Sequence, residues 1–385
     1  MKDHLDKQEL TALIQGVFSL RPGDTHLAVL VDIPDDHSQD NDDWKTRRQI
    51  AYQWVQTLSE ARESIPLTAV HLAAYANIHS NNADLPREAV ICVQSPESLT
   101  VPDLENAGEK IQMEDLLKTH QIVMAPTEFS PTAPLKLLSK SLGCRAATMP
   151  GFSQAMIPAL RLDYTEINRR VHKIKDELDS AVAVDIRFNA DDIGEASIHF
   201  DLRFRPGHAS GGRIPEPGTA GNLPSGECYI VPYEGEKGEP SQSRGTLPVQ
   251  FGNEVVLFTI EQNRAVDVTT SGPMSDEEKK KITEEPAYSN IAEIGFGVLA
   301  DFGIKPIGEL LLDEKLGLHI AFGRSDHFGG AVGVKDFSSP DKVVHIDRIY
   351  IPETQNKVKV LEVVLSYENG SRKTIMENGA YAIFQ

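Results

Sequence analysis

The stretch "HLAVLVDIP", residues 26–34, is almost wholly apolar over the length of one strand, the pattern of a strand buried on both faces of a sheet. It is followed by "DDWKTRRQIAYQWVQTLSEAR" (42–62), which has helical periodicity and acidic residues at its start, where the helix dipole favours them. "LTAVHLAAYA" (67–76) reads as strand again. Farther along, "HQIVMAP" (120–126) precedes "TAPLKLLSKSLG", a helix ended by Gly143, and then the short strand "CRAATMP". This alternation predicts an α/β domain with a mainly parallel sheet over residues 1–180. A long helix over 158–181 is expected to lead out of it.

After residue 181 the texture changes to β-branched alternation broken by Gly and Pro: "AVAVDIRF", "ASIHFDLRF", "ECYIVPYEG", "EVVLFTIEQNRAVDV", "LHIAFG", "KVVHIDRIY" and "KVLEVVLSY". Many short strands with turn signals predict a strand-rich, largely antiparallel α+β domain over 181–385. The charge run "SDEEKKKITEEP" (275–286) reads as a solvated helix or loop, and there is no internal repeat. The acidic loop "DDHSQDNDD" (35–43) lacks the glycine and terminal glutamate of a calcium loop and reads as solvated surface.

A chain of 385 residues exceeds what one hydrophobic core usually organises, in keeping with two domains. With 38 basic against 57 acidic residues, the formal charge of -19 repels phosphate backbones and anionic membranes, so neither nucleic acid nor membrane is an expected partner. A cation is. Cys92, Cys144 and Cys228 are widely spaced and form no CxxC, which argues against a disulfide framework and a thiolate zinc site. The N-terminus is charged and amphipathic, and no window approaches a membrane span. A cytoplasmic protein is expected.

The chemistry concentrates after residue 220. In "VVHIDRIY", strand alternation puts His345 and Asp347 on one face, where a single ion is within reach of both. In "LHIAFG", Leu318, Ile320 and Phe322 share one face, which leaves His319 beside small Ala321 on the other. Glu314 lies five residues earlier, across Gly317, and a turn there brings it back toward the same space. Glu227 in "NLPSGECYIVP" and Glu293 in "NIAEIGFGVLA" are likewise lone acids in apolar surroundings. Burying an unpaired carboxylate costs several kcal/mol, so such acids call for a cation. Four carboxylates and two neutral imidazoles form the nitrogen and oxygen ligand set of a dinuclear divalent site, with four negative charges balancing two divalent ions.

The order of "GNLPSGECYIVPYEG", "NIAEIGFG", "LLDEKLGLHIAFG", "HFGG" and "HID" resembles that of the M29 metallopeptidases, the aminopeptidase T and leucyl aminopeptidase group. The resemblance covers most of residues 200–350 and is fainter before them. It implies a pair of divalent ions, zinc, cobalt or manganese, held by Glu227, Glu293, Glu314, His319, His345 and Asp347. It further implies a homodimer that removes N-terminal residues from short peptides or hydrolyses amino-acid amides. Glu293 is the candidate for bridging the ions or for accepting the proton of the attacking water. The thermophilic members carry a tyrosine seven residues after the histidine matching His319, and this chain has Asp326. An ionised aspartate cannot donate the hydrogen bond that the tyrosine would. Asp326, His327 and Arg324, the last as a substitute cation, are the candidate substrate-binding residues. Two other readings stand beside the peptidase: a ring-cleaving dioxygenase with one ferrous ion on His319, His345 and Asp347, and a non-catalytic relative that keeps metal for structure.

Overall fold

Strand and helix alternate through the first 150 residues of the computed structural model, which describes residues 4–61 and 65–384. The helix Asp42–Glu60 starts where Asn41 accepts a hydrogen bond from the Trp44 amide at 2.8 Å, and Asp42 and Asp43 occupy its positive end. Position 62 of the expected helix lies outside the described residues. Thr132–Leu142 is helical and stops at Gly143, whose φ of 85° is the left-handed conformation that glycine adopts without strain. The single helix expected over 158–181 is instead two, Ile157–Leu160 and Tyr164–Ser180. Asp163 interrupts it, its carboxylate accepting from the Thr165 amide at 2.9 Å as a new helix start.

The chain separates into two compact units. The first comprises Met1–Asn168, Ser210–Ser225 and Ile307–Leu312, and the second Arg169–Ala209, Gly226–Pro306 and Asp313–Gln385. In the first unit a seven-stranded sheet runs in the order 220–222, 145–148, 122–125, 26–33, 69–76, 88–92, 108–112. Its first five strands are parallel and its last two antiparallel. Leu30, Val123 and Ala146 pack with Leu116, Leu117 and Leu135 on one face of this sheet. At the carboxyl end of the central strand, buried Asp32 accepts hydrogen bonds from the Glu128 and Phe129 amides and the Trp44 indole. Burial pushes its carboxyl up to about 6 against those bonds.

The second unit holds an eight-stranded antiparallel sheet and a five-stranded sheet ordered 345–349, 318–323, 291–297, 227–230, 208–210. Ile294, Phe296, Leu318, Ile320 and Phe322 of the five-stranded sheet are fully buried, and Phe322 packs against Phe258 of the larger sheet with ring centroids 5.2 Å apart. One face of the smaller sheet is therefore core, and alternation dedicates the other to the polar residues described below. The charge run forms the helix Pro273–Glu284, but it is not solvated all round: Glu278 is fully buried, accepting from the Tyr288 hydroxyl at 2.5 Å and pairing with Lys281 at 2.8 Å. Within the acidic loop, Asp40 pairs with the buried Arg48 at 2.9 Å. All three cysteines are free and buried. Among the described residues no helix is long and apolar enough to cross a membrane.

Candidate metal centre

Four neighbouring strands build the site by register. Glu227 pairs with Gly297, Tyr229 with Gly295, and Gly295 in turn with His319. One row further, Glu293 lies opposite Ala321 and Ala321 opposite Asp347; beyond them Gly323 lies opposite His345. Directly opposed residues of antiparallel strands project to the same side. Glu227, Tyr229, Glu293, His319, His345 and Asp347 therefore share one face, interleaved with Gly295, Gly297 and Ala321. The small residues make the room. A Cβ added to Gly295 would overlap the His319 imidazole, with Cδ2 at 2.6 Å and Nε2 closer still. A Cβ on Gly297 would strike the backbone of Lys315 and Leu316.

Both histidines are oriented the same way. His319 Nδ1 lies 3.2 Å from the Gly317 carbonyl, and His345 Nδ1 lies 2.8 Å from that of Arg324. A carbonyl only accepts, so each Nδ1 carries the proton, and each Nε2 presents its lone pair to the site, as metal-binding histidines do. His319 Nε2 faces Glu293 Oε1 at 3.3 Å and Glu227 Oε2 at 3.5 Å. His345 Nε2 faces Glu293 Oε2 at 3.2 Å and Asp347 Oδ1 at 3.7 Å. Two groups result, Glu227–Glu293–His319 and Glu293–His345–Asp347, each with its ligand atoms within 4.8 Å of one another and Glu293 common to both.

Lone pair facing lone pair is repulsive, so this arrangement requires a proton or a metal ion at each Nε2. Without metal the proton takes that place. Burial opposes the His319 imidazolium, but Glu293, Glu227 and Asp347 prevail and push it up to about 9. For His345 burial likewise opposes, and Asp347 and Glu293 raise it well above the ordinary value. Glu293 is held low despite its burial, because both imidazoles favour its carboxylate. The donor set also fits divalent metal on an independent observation: Glu227 Oε2 and Asp347 Oδ1 are buried without any hydrogen-bond partner, and such orphaned carboxylate oxygens call for a cation.

Glu314 stands apart from both groups. It forms an ion pair with Lys315, whose ammonium is also 2.6 Å from Glu227 Oε1, so the lysine lies buried between the two carboxylates. Burial pushes the Glu314 carboxyl up to about 8; Lys315 opposes the shift, and the charges of Glu227 and Asp347 add to it. Lys315 was not among the candidates from sequence, although its place beside Glu314 was a visible signal. Tyr229 was missed too, although its spacing of two from Glu227 puts both on one face.

Asp326 is exposed and pairs with Arg324 at 2.5 Å, while His327, also exposed, packs on Phe328 and meets His345 edge to face at 5.2 Å. These three sit on the loop after the His319 strand, which Glu234 ties down. The Glu234 carboxylate accepts from Asn290 at 2.7 Å, from Ser325 Oγ at 2.5 Å and from the Ala331 amide, and pairs with Arg205 at 3.3 Å. Gly330 leaves the space for that anchor, since a Cβ there would lie 3.0 Å from Glu234 Oε2 and closer to Ser325 Oγ.

No family model matches the chain, and no curated protein sequence matches it. Among solved structures, it is similar to 2,5-dihydroxypyridine dioxygenase from Pseudomonas putida, with a TM-score of 0.57 and 14% identity over 98% of both chains. It is also similar to wild-type AmpT, the aminopeptidase T of Thermus thermophilus, with a TM-score of 0.54 and 14% identity over 98% of both chains. The fold is common to all three from end to end. One relative in shape is an oxygenase and the other a peptidase, so the function has to be argued from the side chains.

Proposed function

We propose that this chain is a metal-dependent aminopeptidase that removes N-terminal residues from short peptides with two divalent ions, zinc, cobalt or manganese. One observation carries the reading: the two oxygens of Glu293 face different histidines, Oε1 toward His319 at 3.3 Å and Oε2 toward His345 at 3.2 Å. Glu227 and His319 would hold one ion and His345 and Asp347 the other, with Glu293 common to both groups. Ions bound there would supply Lewis acidity, lowering the pKa of a water toward about 7 and polarising the scissile carbonyl. With both oxygens of Glu293 facing the histidines, the carboxyl beside the site that belongs to neither ligand group is Glu314. Its ion pair with Lys315 favours the carboxylate form, which is the form able to accept the water's proton and pass it to the leaving amine.

Lys315 favours a second reading. Its ammonium neutralises Glu227 and Glu314 without a metal, which suits one ferrous ion on His319, His345 and Asp347 and the chemistry of a ring-cleaving dioxygenase. Metal analysis of protein purified without chelator separates the readings. Two equivalents of zinc, cobalt or manganese with hydrolysis of Leu-amide support the peptidase. One equivalent of iron with no amidase activity supports the oxygenase, and metal with neither activity leaves a structural relative.

A further inference from the structure

Hydrolysis of an amide moves negative charge onto the carbonyl oxygen as the water oxygen adds, and catalysis gains most from a donor already aimed at that oxygen. The cationic donors near the site are engaged elsewhere. Lys315 is taken up by Glu227 and Glu314, and Arg324 by Asp326. Asp326 itself, as a carboxylate, donates nothing.

Tyr229 has what the task needs. It projects from the same face as Glu227, and its cross-strand neighbour is Gly295, so no side chain of the Glu293 strand stands between its ring and the His319 imidazole. Its ring is clamped: it stacks on His208 at 5.1 Å with an interplanar angle of 22° and packs against Phe328 at 4.8 Å, which in turn meets His345 at 5.3 Å. Adjacent strands lie roughly 4.8 Å apart, so two steps separate the Tyr229 and His319 backbones by about 10 Å. A phenol extends about 6.5 Å from its Cα by ordinary bond lengths, a reach that spans most of that separation. Among the described residues that hydroxyl has no hydrogen-bond partner. A phenol carries its proton at neutral pH, so the group is a hydrogen-bond donor there.

We infer that Tyr229 is a catalytic residue of this site, its hydroxyl donating a hydrogen bond to the oxyanion that develops on the substrate carbonyl. The inference rests on the aminopeptidase reading. The phenol keeps its proton throughout; the bonds that change are the new C–O bond from water and the broken C–N bond, with the water's proton delivered to the leaving amine. The role is one that Tyr229→Phe isolates, because phenylalanine preserves the ring packing and removes only the donor.

The test uses the full chain loaded with zinc, cobalt or manganese. For wild type and Tyr229→Phe, kcat and KM on Leu-amide are measured, together with bound metal, melting temperature, and the calorimetric affinities for leucine and for its phosphonic acid analogue, a tetrahedral mimic. The expected result is a 10²- to 10³-fold fall in kcat, the range for loss of one oxyanion donor. The mimic should weaken by a comparable factor, while KM, bound metal and leucine affinity stay within about twofold and the melting temperature is unchanged. An active wild type whose Tyr229→Phe variant keeps kcat within threefold, or loses metal in step with activity, overturns the inference and leaves the aminopeptidase standing. A wild type that cleaves no amide with any of the three metals overturns both.

Discussion

Replacing Gly295 by alanine tests the architecture of the site at one atom. No backbone conformation special to glycine is involved there, so alanine is tolerated by the chain itself and would by propensity stabilise a strand by about 0.5–1 kcal/mol. The added methyl, however, occupies the volume of the His319 imidazole, 2.6 Å from Cδ2 and closer to Nε2. The imidazole must swing away, giving up its contacts to Glu293 at 3.3 Å and Glu227 at 3.5 Å. Overpacking of this kind costs about 1–3 kcal/mol, so metal-free Gly295→Ala should lose a net ~0.5–2 kcal/mol. The effect on metal is larger. With metal at one hundred times its dissociation constant, wild type gains about 2.7 kcal/mol of stability, seen as a rise in melting temperature. Displacing a ligand weakens binding by at least the roughly 100-fold that loss of an outer partner can cost, and the same metal concentration then stabilises by only ~0.4 kcal/mol. The assay is melting temperature with and without metal, alongside bound-metal analysis. Gly16→Ala serves as the control, because nothing lies within 4 Å of a Cβ at that helical position. It should leave the metal-induced rise intact. If Gly295→Ala binds metal in wild-type amount and shows the wild-type rise, the placement of His319 over Gly295 is wrong.

Lys315→Met should destabilise the metal-free protein by about 3–5 kcal/mol, since buried Glu227 and half-buried Glu314 lose their cation. It should also tighten binding of divalent metal by calorimetry, and weaker binding would show that the lysine supports the metal rather than rivals it. Glu234→Gln removes a charged acceptor worth about 1.5–3 kcal/mol per bond from the loop anchor. Hydrogen exchange at Ala331 and Val332 should then accelerate by at least tenfold while the core strands are unaffected; unchanged exchange would refute the anchoring role. His120 tests the first unit. Burial, then the neighbouring His71 and His26, depress its pKa from 6.5 to about 4, with Nδ1 donating to the Leu116 carbonyl at 2.9 Å and Nε2 accepting from His71 at 2.8 Å. The unfolded chain therefore takes the proton first, so stability is intact above pH 6.5 and falls by about 3 kcal/mol as the pH drops toward 4. His120→Gln should flatten urea-measured stability across that window, and an unchanged slope would assign the acid sensitivity elsewhere.

The alternation of strand and helix, the helix stop at Gly143 and the strand-rich second half were legible in the sequence because they rest on periods of 2 and 3.6 that neighbouring residues carry by themselves. The same period placed His345 with Asp347, and His319 away from Leu318, Ile320 and Phe322. The break at Asp163 was not legible, since a local acceptor competed with a helical pattern that ran straight through it. Nor was the burial of Glu278, which depends on a tyrosine hydroxyl ten residues away. What joined the acids and imidazoles into one site was the register of four strands, including the irregularity between Ile291 and Glu293, and register is set by packing between segments up to 120 residues apart. Only that register laid Gly295 between Tyr229 and His319 and aimed the two oxygens of Glu293 at different histidines. It also decided the charge balance: four carboxylates counted along the chain suggest two divalent ions, whereas in three dimensions Lys315 folds back onto two of them, a contact whose energy depends on burial that no local pattern encodes.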